Sequence, residues 1–249
     1  MQDDGLSEEE LKSMWDRIDL TNTSSQKKVK QLLYEGRELS QQGDDKKSIE
    51  TLLQCVELDP ENLEAHYYLG LIYTRQKSFN HSIVHLNEIV MSRYQYIHLQ
   101  QVRQVLGYIY ALQEDYENAR EQLFECLKSD DKNLKVLSIL GFTYYREKNY
   151  ELARDYYDKV LRIDDKNANA YNSLGMIYIE TEENIDEGIS ICKKALEIQP
   201  DSPAYLDSIG WGYYKKKDDL QAIEYLKQAY EKAPDSQEIK RHLQEFLDF

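Results

Sequence analysis

The sequence has few of the residues that break helices or cross-link chains. Its 249 residues include four prolines and three cysteines, and it has no apolar run near the roughly 20 residues that span a bilayer. An odd, widely spaced set, Cys55, Cys126 and Cys192, argues against a disulfide framework. With 31 basic against 46 acidic residues, the net charge of -15 repels phosphate backbones and anionic membranes. We therefore expect no disulfide scaffold, no nucleic-acid partner and no membrane insertion.

Motifs for catalysis and cofactor binding are also missing. The chain has no G-x-x-x-x-G-K-[ST] phosphate loop, no G-x-G-x-x-G, no H-E-x-x-H and no paired-cysteine metal spacing. His81 and His85 are four residues apart and could share a metal, but no third ligand is evident nearby, so we interpret them as solvated surface residues. We predict no metal, no cofactor and no catalytic residue, and hence that the chain is not an enzyme.

The sequence does contain an internal repeat. A glycine recurs with separations of 34, 37, 34, 34 and 35 residues, at Gly36, Gly70, Gly107, Gly141, Gly175 and Gly210. Large apolar residues commonly stand just before each glycine and three residues after it, which is a helical register. A second set of small residues follows at a fixed distance, at Ser48, Ser82, Ala119, Ala153, Gly188 and Ala222. Small residues on both helices let two antiparallel helices cross closely, so each unit is predicted to be a helical hairpin.

These residues resemble the tetratricopeptide repeat, with its pattern W-x2-L-G-x2-Y, A-x3-F and a closing proline on a 34-residue period. Pro60, Pro200 and Pro234 occupy the closing position in three units. The resemblance implies an all-α fold, a right-handed α-solenoid superhelix of about six helical hairpins with terminal capping helices. The repeats are expected at about 29–62, 63–99, 100–133, 134–167, 168–202 and 203–235, within an array over 27–249 that ends in a capping helix at 236–248.

The first 26 residues lie outside the repeat register. Ser7 and Glu10 are spaced as a capping box. An amphipathic helix is predicted from the apolar residues Leu11, Met14, Trp15 and Ile18, followed by a polar linker at 21–26. We expect this helix either to cap the first repeat or to act as a detachable peptide that docks in a groove, its own or that of a second copy in a homo-oligomer.

A binding groove is implied by the resemblance, since the first helices of successive tetratricopeptide repeats line a concave surface. The residues placed on that surface are Arg37, Tyr67, Leu71, Arg75, Tyr108, Phe142, Tyr145, Arg146, Met176, Trp211 and Tyr214. Further cations, Lys30, Lys135 and Lys215, join the arginines along one edge. Such a groove suits a peptide with apolar and some acidic groups. The alternative is that its aromatic residues pack against the second helices instead.

We therefore predict a protein-interaction scaffold that binds a peptide or helix of another protein. The alternatives are a self-assembling structural protein and a regulatory subunit of an enzyme complex. Residues 1–10 are acidic, whereas a secretory leader begins basic and continues apolar, so we expect a cytoplasmic protein. A periplasmic location is the alternative if a leader has been removed.

Overall fold

Helices account for nearly all of the described chain. The computed structural model describes the backbone of residues 8–247 and the side chains of residues 24–247. The described residues form thirteen helices and no strand, which confirms the all-α prediction. The helices are α1 (Glu8–Gln41), α2 (Asp45–Leu58), α3 (Leu63–Arg75), α4 (Phe79–Met91), α5 (Leu99–Leu112), α6 (Tyr116–Leu127), α7 (Leu134–Arg146), α8 (Tyr150–Ile163), α9 (Ala168–Glu180), α10 (Ile185–Ile198), α11 (Pro203–Lys215), α12 (Asp219–Lys232) and α13 (Gln237–Leu247).

Successive helices pack as hairpins at α1/α2, α3/α4, α7/α8, α9/α10 and α11/α12, and α13 follows the last of them. The turn after each odd-numbered helix from α1 to α11 contains one residue with positive φ, in order Gly43, Lys77, Glu114, Lys148, Glu182 and Lys217. A non-glycine residue there costs about 1–2 kcal/mol. Backbone hydrogen bonds hold the turn in compensation: in α3/α4, for example, the N–H of Ser78 donates to the carbonyl of Tyr73 at 2.9 Å.

Short polar side chains mark where most helices begin. The side chain of the residue before the helix accepts a hydrogen bond from a backbone N–H three residues later at Asp44, Asn62, Asp115, Asn133, Asn149, Asn167, Asn184 and Asp218. Such a cap stabilises a helix by about 1 kcal/mol. Asn133 and Asn167 are such caps, so α7 and α9 begin at a polar cap although no closing proline precedes them.

The repeated glycine brings the two helices of a hairpin together. A Cβ atom built on Gly175 of α9 would lie 2.7 Å from the carbonyl oxygen of Gly188 on α10, which leaves no room for any side chain. Gly188 is one of the small residues of the second set. The sequence interpretation of paired small residues therefore corresponds to direct backbone packing at this hairpin.

Contacts divide the chain into two compact units, Met1–Ile109 and Tyr110–Phe249. In the N-terminal unit, α1, α2 and α3 share a buried cluster of Val29, Leu32, Leu52, Cys55, Ala65, Leu69 and Ile72. In the C-terminal unit, a cluster spans the hairpins α7/α8 and α9/α10 and consists of Leu137, Ala153, Tyr157, Val160, Ala170, Leu174 and Ile177. Each unit thus has its own core.

The structure differs from the predicted linker at residues 21–26, because α1 runs through that stretch without a break. The stretch is polar but contains neither glycine nor proline, and extending an existing helix adds one hydrogen bond for each residue fixed. The predicted amphipathic face, Leu11, Met14, Trp15 and Ile18, lies on α1. Its side chains, and Ser7 of the predicted capping box, lie outside what the structure describes. The cap and docking-peptide alternatives both stay predictions.

Of the helices in the described part of the chain, none combines the length and apolar character that crossing a membrane requires.

Candidate functional site

The first helices of the C-terminal unit line a pocket of about 250 Å³, which we call the C-terminal pocket. Helices α7, α9 and α11 contribute one wall and α13 another. Its lining includes Phe142, Tyr145, Asn172, Met176, Asp207 and His242. One water molecule needs only about 10–15 Å³ of such space, so the C-terminal pocket is large enough for a side chain of another molecule.

One side of this pocket is apolar and aromatic. Phe142, Tyr145 and Met176 line it and are each half-buried. Burial, followed by the negative charge of Glu180, raises the pKa of the Tyr145 hydroxyl well above its ordinary value. Glu238 on α13 acts in the same direction. The Tyr145 hydroxyl therefore stays protonated at neutral pH, in acidic surroundings.

The pocket lining also includes a buried carboxylate. Asp207 on α11 is only 4% exposed, and its Oδ2 accepts a hydrogen bond from Nδ1 of His242 on α13 at 2.8 Å. Nη2 of Arg241 lies 3.1 Å from Nε2 of the same histidine. A guanidinium group can only donate, so in this contact Nε2 accepts and Nδ1 carries the hydrogen that Asp207 accepts. Arg241 is therefore linked to Asp207 through the histidine.

Two buried acceptor atoms of the pocket remain without a donor. Among the described residues, neither Oδ1 of Asp207 nor Oδ1 of Asn172 makes a hydrogen bond. Leaving a buried polar atom unsatisfied costs about 1–3 kcal/mol, and more for a charged group. Both residues line the C-terminal pocket, on neighbouring helices α11 and α9. A ligand that donates hydrogen bonds to both oxygens would recover this free energy.

Trp211, predicted on the groove surface, is buried, with 6% of its surface exposed. Its ring stacks on His242 at 4.3 Å between centroids, and its Nε1 donates to Oε1 of Glu180 at 2.8 Å. The ring of Tyr214 lies 5.0 Å from it and also contacts Phe246 of α13. Trp211 therefore connects α11 with α9 and α13, beside Asp207 and His242.

The predicted cationic edge is largely neutralised within the protein. Three of its residues form ion pairs with carboxylates roughly one repeat earlier in the chain: Arg75 with Asp45, Arg146 with Glu114 at 3.2 Å, and Lys215 with Glu182 at 3.7 Å. Exposed pairs add little stability, about 0–1 kcal/mol each. They do, however, offset the positive charge expected to attract an acidic peptide. The carboxylate partners lie outside the predicted groove positions, so those positions alone do not show this pairing.

The groove residues predicted in the N-terminal unit do not line this pocket. Tyr67 is 7% exposed and stacks on His98 at 5.0 Å. The hydroxyl of Tyr96 donates to Oε2 of Glu64 at 3.2 Å, and this hydrogen bond links the 92–98 connection to α3. The remaining predicted residues are placed as follows: Leu71 half-buried, and Arg37, Arg75 and Tyr108 exposed.

A histidine pair also lies in the N-terminal unit, and it joins His66 to His85. The sequence interpretation placed His81 and His85 on the solvated surface; His81 is exposed, but His85 is half-buried because its ring packs against His66 and Tyr73. Nδ1 of His66 is 3.0 Å from Nδ1 of His85, and Nε2 of His66 is 3.1 Å from the carbonyl oxygen of Pro60. Burial, then the proximity of His66 and of His81, lowers the pKa of His85 to about 4. In the part of the chain that the structure describes, no group of three or more His, Cys, Asp or Glu residues is placed to hold a metal ion.

Sequence reasoning missed Asn172, Asp207 and His242 as site residues. Asn172 and Asp207 each stand three residues before the repeated glycine, in the fifth and sixth repeats. Polar residues at the same concave position of consecutive repeats were the available signal. His242 lies beyond the last repeat, and only the packing of α13 brings it to Asp207.

Comparisons with known proteins agree with this architecture. The family described as the tetratricopeptide repeat protein 21 C-terminal ARM domain matches residues 9–209, and a tetratricopeptide repeat model matches residues 206–236. No curated protein matches the sequence.

Solved structures share the fold at low sequence identity. A tetratricopeptide repeat protein from Parabacteroides merdae superposes with a TM-score of 0.75 at 12% identity, covering 88% of this chain and 84% of that one. PilF of Pseudomonas aeruginosa gives 0.62 at 17%, covering 89% and 99%. PilW, a type IV pilus biogenesis factor, gives 0.66 at 14%, covering 86% and 98%. At these identities the likeness establishes the fold alone.

Proposed function

We propose that this chain, which belongs to the family of the tetratricopeptide repeat protein 21 C-terminal ARM domain, is a protein-interaction scaffold. In this proposal the C-terminal pocket holds a segment of another protein along α7, α9 and α11. The observation that carries it is the convergence of half-buried Phe142, Tyr145 and Met176 on one pocket.

The apolar side of the pocket has the character of a binding surface. Aromatic side chains supply a large contact area with few torsions to fix, and they dominate protein-binding hot spots. Methionine adapts its shape to different apolar partners. Phe142 and Tyr145 lie three residues apart on α7, and Met176 extends the same surface onto α9. A segment lying across these two helices could bury an apolar side chain against all three.

The charges favour a partner segment that is apolar and basic rather than acidic. Asp207, Glu180 and Glu238 are the carboxylates in or beside the pocket, and the chain as a whole carries a net charge of -15. Of the nearby cations, Lys215 is paired with Glu182, and Arg241 contacts Nε2 of His242. Complementary charge raises association rates and selects against partners of the wrong sign.

The test blocks the pocket without deleting a packing residue. Ala204 is exposed on α11 and lines the pocket, so Ala204→Arg should fill it while leaving the helices in place. Gln228→Arg adds the same side chain at an exposed position of α12 and serves as the control. Proteins captured from the source cells are quantified by mass spectrometry, and binding of each purified candidate is then measured by calorimetry.

The proposal expects one purified protein that binds the wild type and Gln228→Arg alike, and Ala204→Arg at least about tenfold more weakly, a difference of 1.4 kcal/mol. Circular dichroism should give the same helix content for all three proteins. If every captured protein binds Ala204→Arg as well as the wild type, the pocket is not the binding surface.

A further inference from the structure

We propose that the C-terminal pocket recognises the guanidinium group of an arginine side chain in the partner segment. This inference rests on the proposed function and names the chemistry of the partner. Its physical basis is the pair of buried oxygens, Oδ1 of Asp207 and Oδ1 of Asn172, that make no hydrogen bond with the described residues.

A ligand that satisfies the two unpaired oxygens of the pocket must donate hydrogen bonds. Both unsatisfied atoms are acceptors, so a ligand group that only accepts, such as a carboxylate or a phosphate, would leave them unsatisfied. A guanidinium group has five N–H donors fixed in one plane and no acceptor. It can therefore donate to two oxygens on different helices at once, as Asp207 on α11 and Asn172 on α9 require. An ammonium group concentrates its three donors at a single atom and matches two separate acceptors less well.

The negative charge of the Asp207 carboxylate also favours a guanidinium group. Asp207 is a buried carboxylate that accepts from Nδ1 of His242, while Arg241 contacts Nε2 of the same ring. Arg241 is itself exposed and directed to that nitrogen. A cation that enters the pocket would pair with Asp207 away from water, where charge-assisted hydrogen bonds are shorter and about twice as strong as neutral ones.

The apolar side of the pocket fits the rest of an arginine side chain. Its methylene groups bury readily against apolar surface, and a planar guanidinium stacks on aromatic faces. Phe142, Tyr145 and Met176 provide such a surface in the same pocket as Asp207. The pocket volume of about 250 Å³ accommodates a long side chain.

The test uses three short peptides as probes, acetyl-Ala-X-Ala-amide with X as arginine, citrulline or lysine. Citrulline has nearly the shape of arginine but carries no charge and replaces one donor with an acceptor. Binding is followed by NMR through the indole N–H of Trp211, whose ring stacks on His242. The chain has two tryptophans, so Trp15→Phe assigns the signal.

We expect the arginine peptide to shift this signal saturably at millimolar concentration, and the other two peptides to bind at least about tenfold more weakly. Asp207→Asn should lose the preference for arginine. In that variant Oδ1 can accept from Nδ1 of His242, and an amide group that only donates replaces the unsatisfied carboxylate oxygen. Glu151→Gln removes the same charge at an exposed position of α8 and should bind like the wild type.

Equal binding of the arginine and citrulline peptides, or no saturable shift, would overturn the inference, and both are read from the wild type alone. Equal binding of lysine would overturn the guanidinium assignment, and equal losses in Asp207→Asn and Glu151→Gln would overturn the role of Asp207. The proposed function is refuted separately, if no captured protein binds Ala204→Arg more weakly than it binds the wild type, even where the arginine peptide binds.

Discussion

The histidine pair of the N-terminal unit should make the stability of the protein depend on pH, and His85→Asn is the variant that tests this. His85 is half-buried on α4, with Nδ1 3.0 Å from Nδ1 of His66 and its ring stacked on Tyr73. Nε2 of His66 lies beside the carbonyl oxygen of Pro60, which only accepts, so in the neutral pair His66 accepts through Nδ1 and His85 donates. The amide nitrogen of asparagine can replace that donor without titrating.

The direction of the change in stability with pH follows from the number of protons that the folded and the unfolded chain bind. In the folded protein the pKa of His85 is lowered to about 4 by burial, by His66 and by His81, from an ordinary value of 6.5. Between these values the unfolded chain binds more protons than the folded one, so stability falls as the pH decreases. The contribution of His85 is fully present above 6.5 and is gone once the pH has fallen through about 4.

A pKa lowered from 6.5 to about 4 corresponds to at most roughly 3 kcal/mol, and solvent screening of the half-buried ring reduces the expected loss to about 1 kcal/mol by about pH 5. Urea unfolding between about pH 7 and pH 5 measures this loss in the wild type, in His85→Asn and in His98→Asn, where the removed ring is exposed. His85→Asn should lose about 1 kcal/mol less than the other two proteins. Equal losses in all three, or an NMR titration of His85 near 6.5, would refute the reasoning.

Two further predictions concern packing. Gly175→Ala should lower the melting temperature, because its Cβ would lie 2.7 Å from the carbonyl oxygen of Gly188. The two helices must then separate by about 0.7 Å to bring this distance to about 3.4 Å, which costs about 1–3 kcal/mol. The gain in helix propensity from glycine to alanine offsets only about 1 kcal/mol of that cost. Gly70→Ala meets a leucine side chain that can rotate, and should cost less; calorimetry giving the reverse order would contradict this backbone packing. Burial raises the pKa of the Cys192 thiol to about 12. A maleimide at about pH 8 should therefore label this thiol in urea but not in the native protein. Rapid labelling of the native protein would show that α10 opens.

Much of the fold could be predicted because its contacts recur along the chain. In a repeat array each unit contacts mainly its neighbours, so the spacing of Gly175 and Gly188 within a hairpin already describes a tertiary contact. The helix starts were also local, since Asn149 and Asn184 cap the helices that follow them directly. The polar stretch at 21–26 misled because polarity resembles a linker, whereas helix continuation depends on the absence of proline and glycine.

The candidate site was less predictable, because exposure depends on which neighbours cover a residue. Phe142, Tyr145 and Met176 do line one pocket, but Trp211 at the equivalent register position is covered by His242 of α13. The helical register gives the direction of a side chain and does not show what lies above it.

The sequence by itself determined the hairpins, their order and their close crossings, since these follow from small residues at fixed spacing and from polar caps. Only the tertiary structure decided the electrostatics of the site. Arg146 is neutralised by Glu114, 32 residues away, and Asp207 uses one oxygen for His242, 35 residues away. Which charges are paired and which buried oxygen is left to accept from a ligand depends on contacts between repeats, and no spacing within a single repeat encodes them.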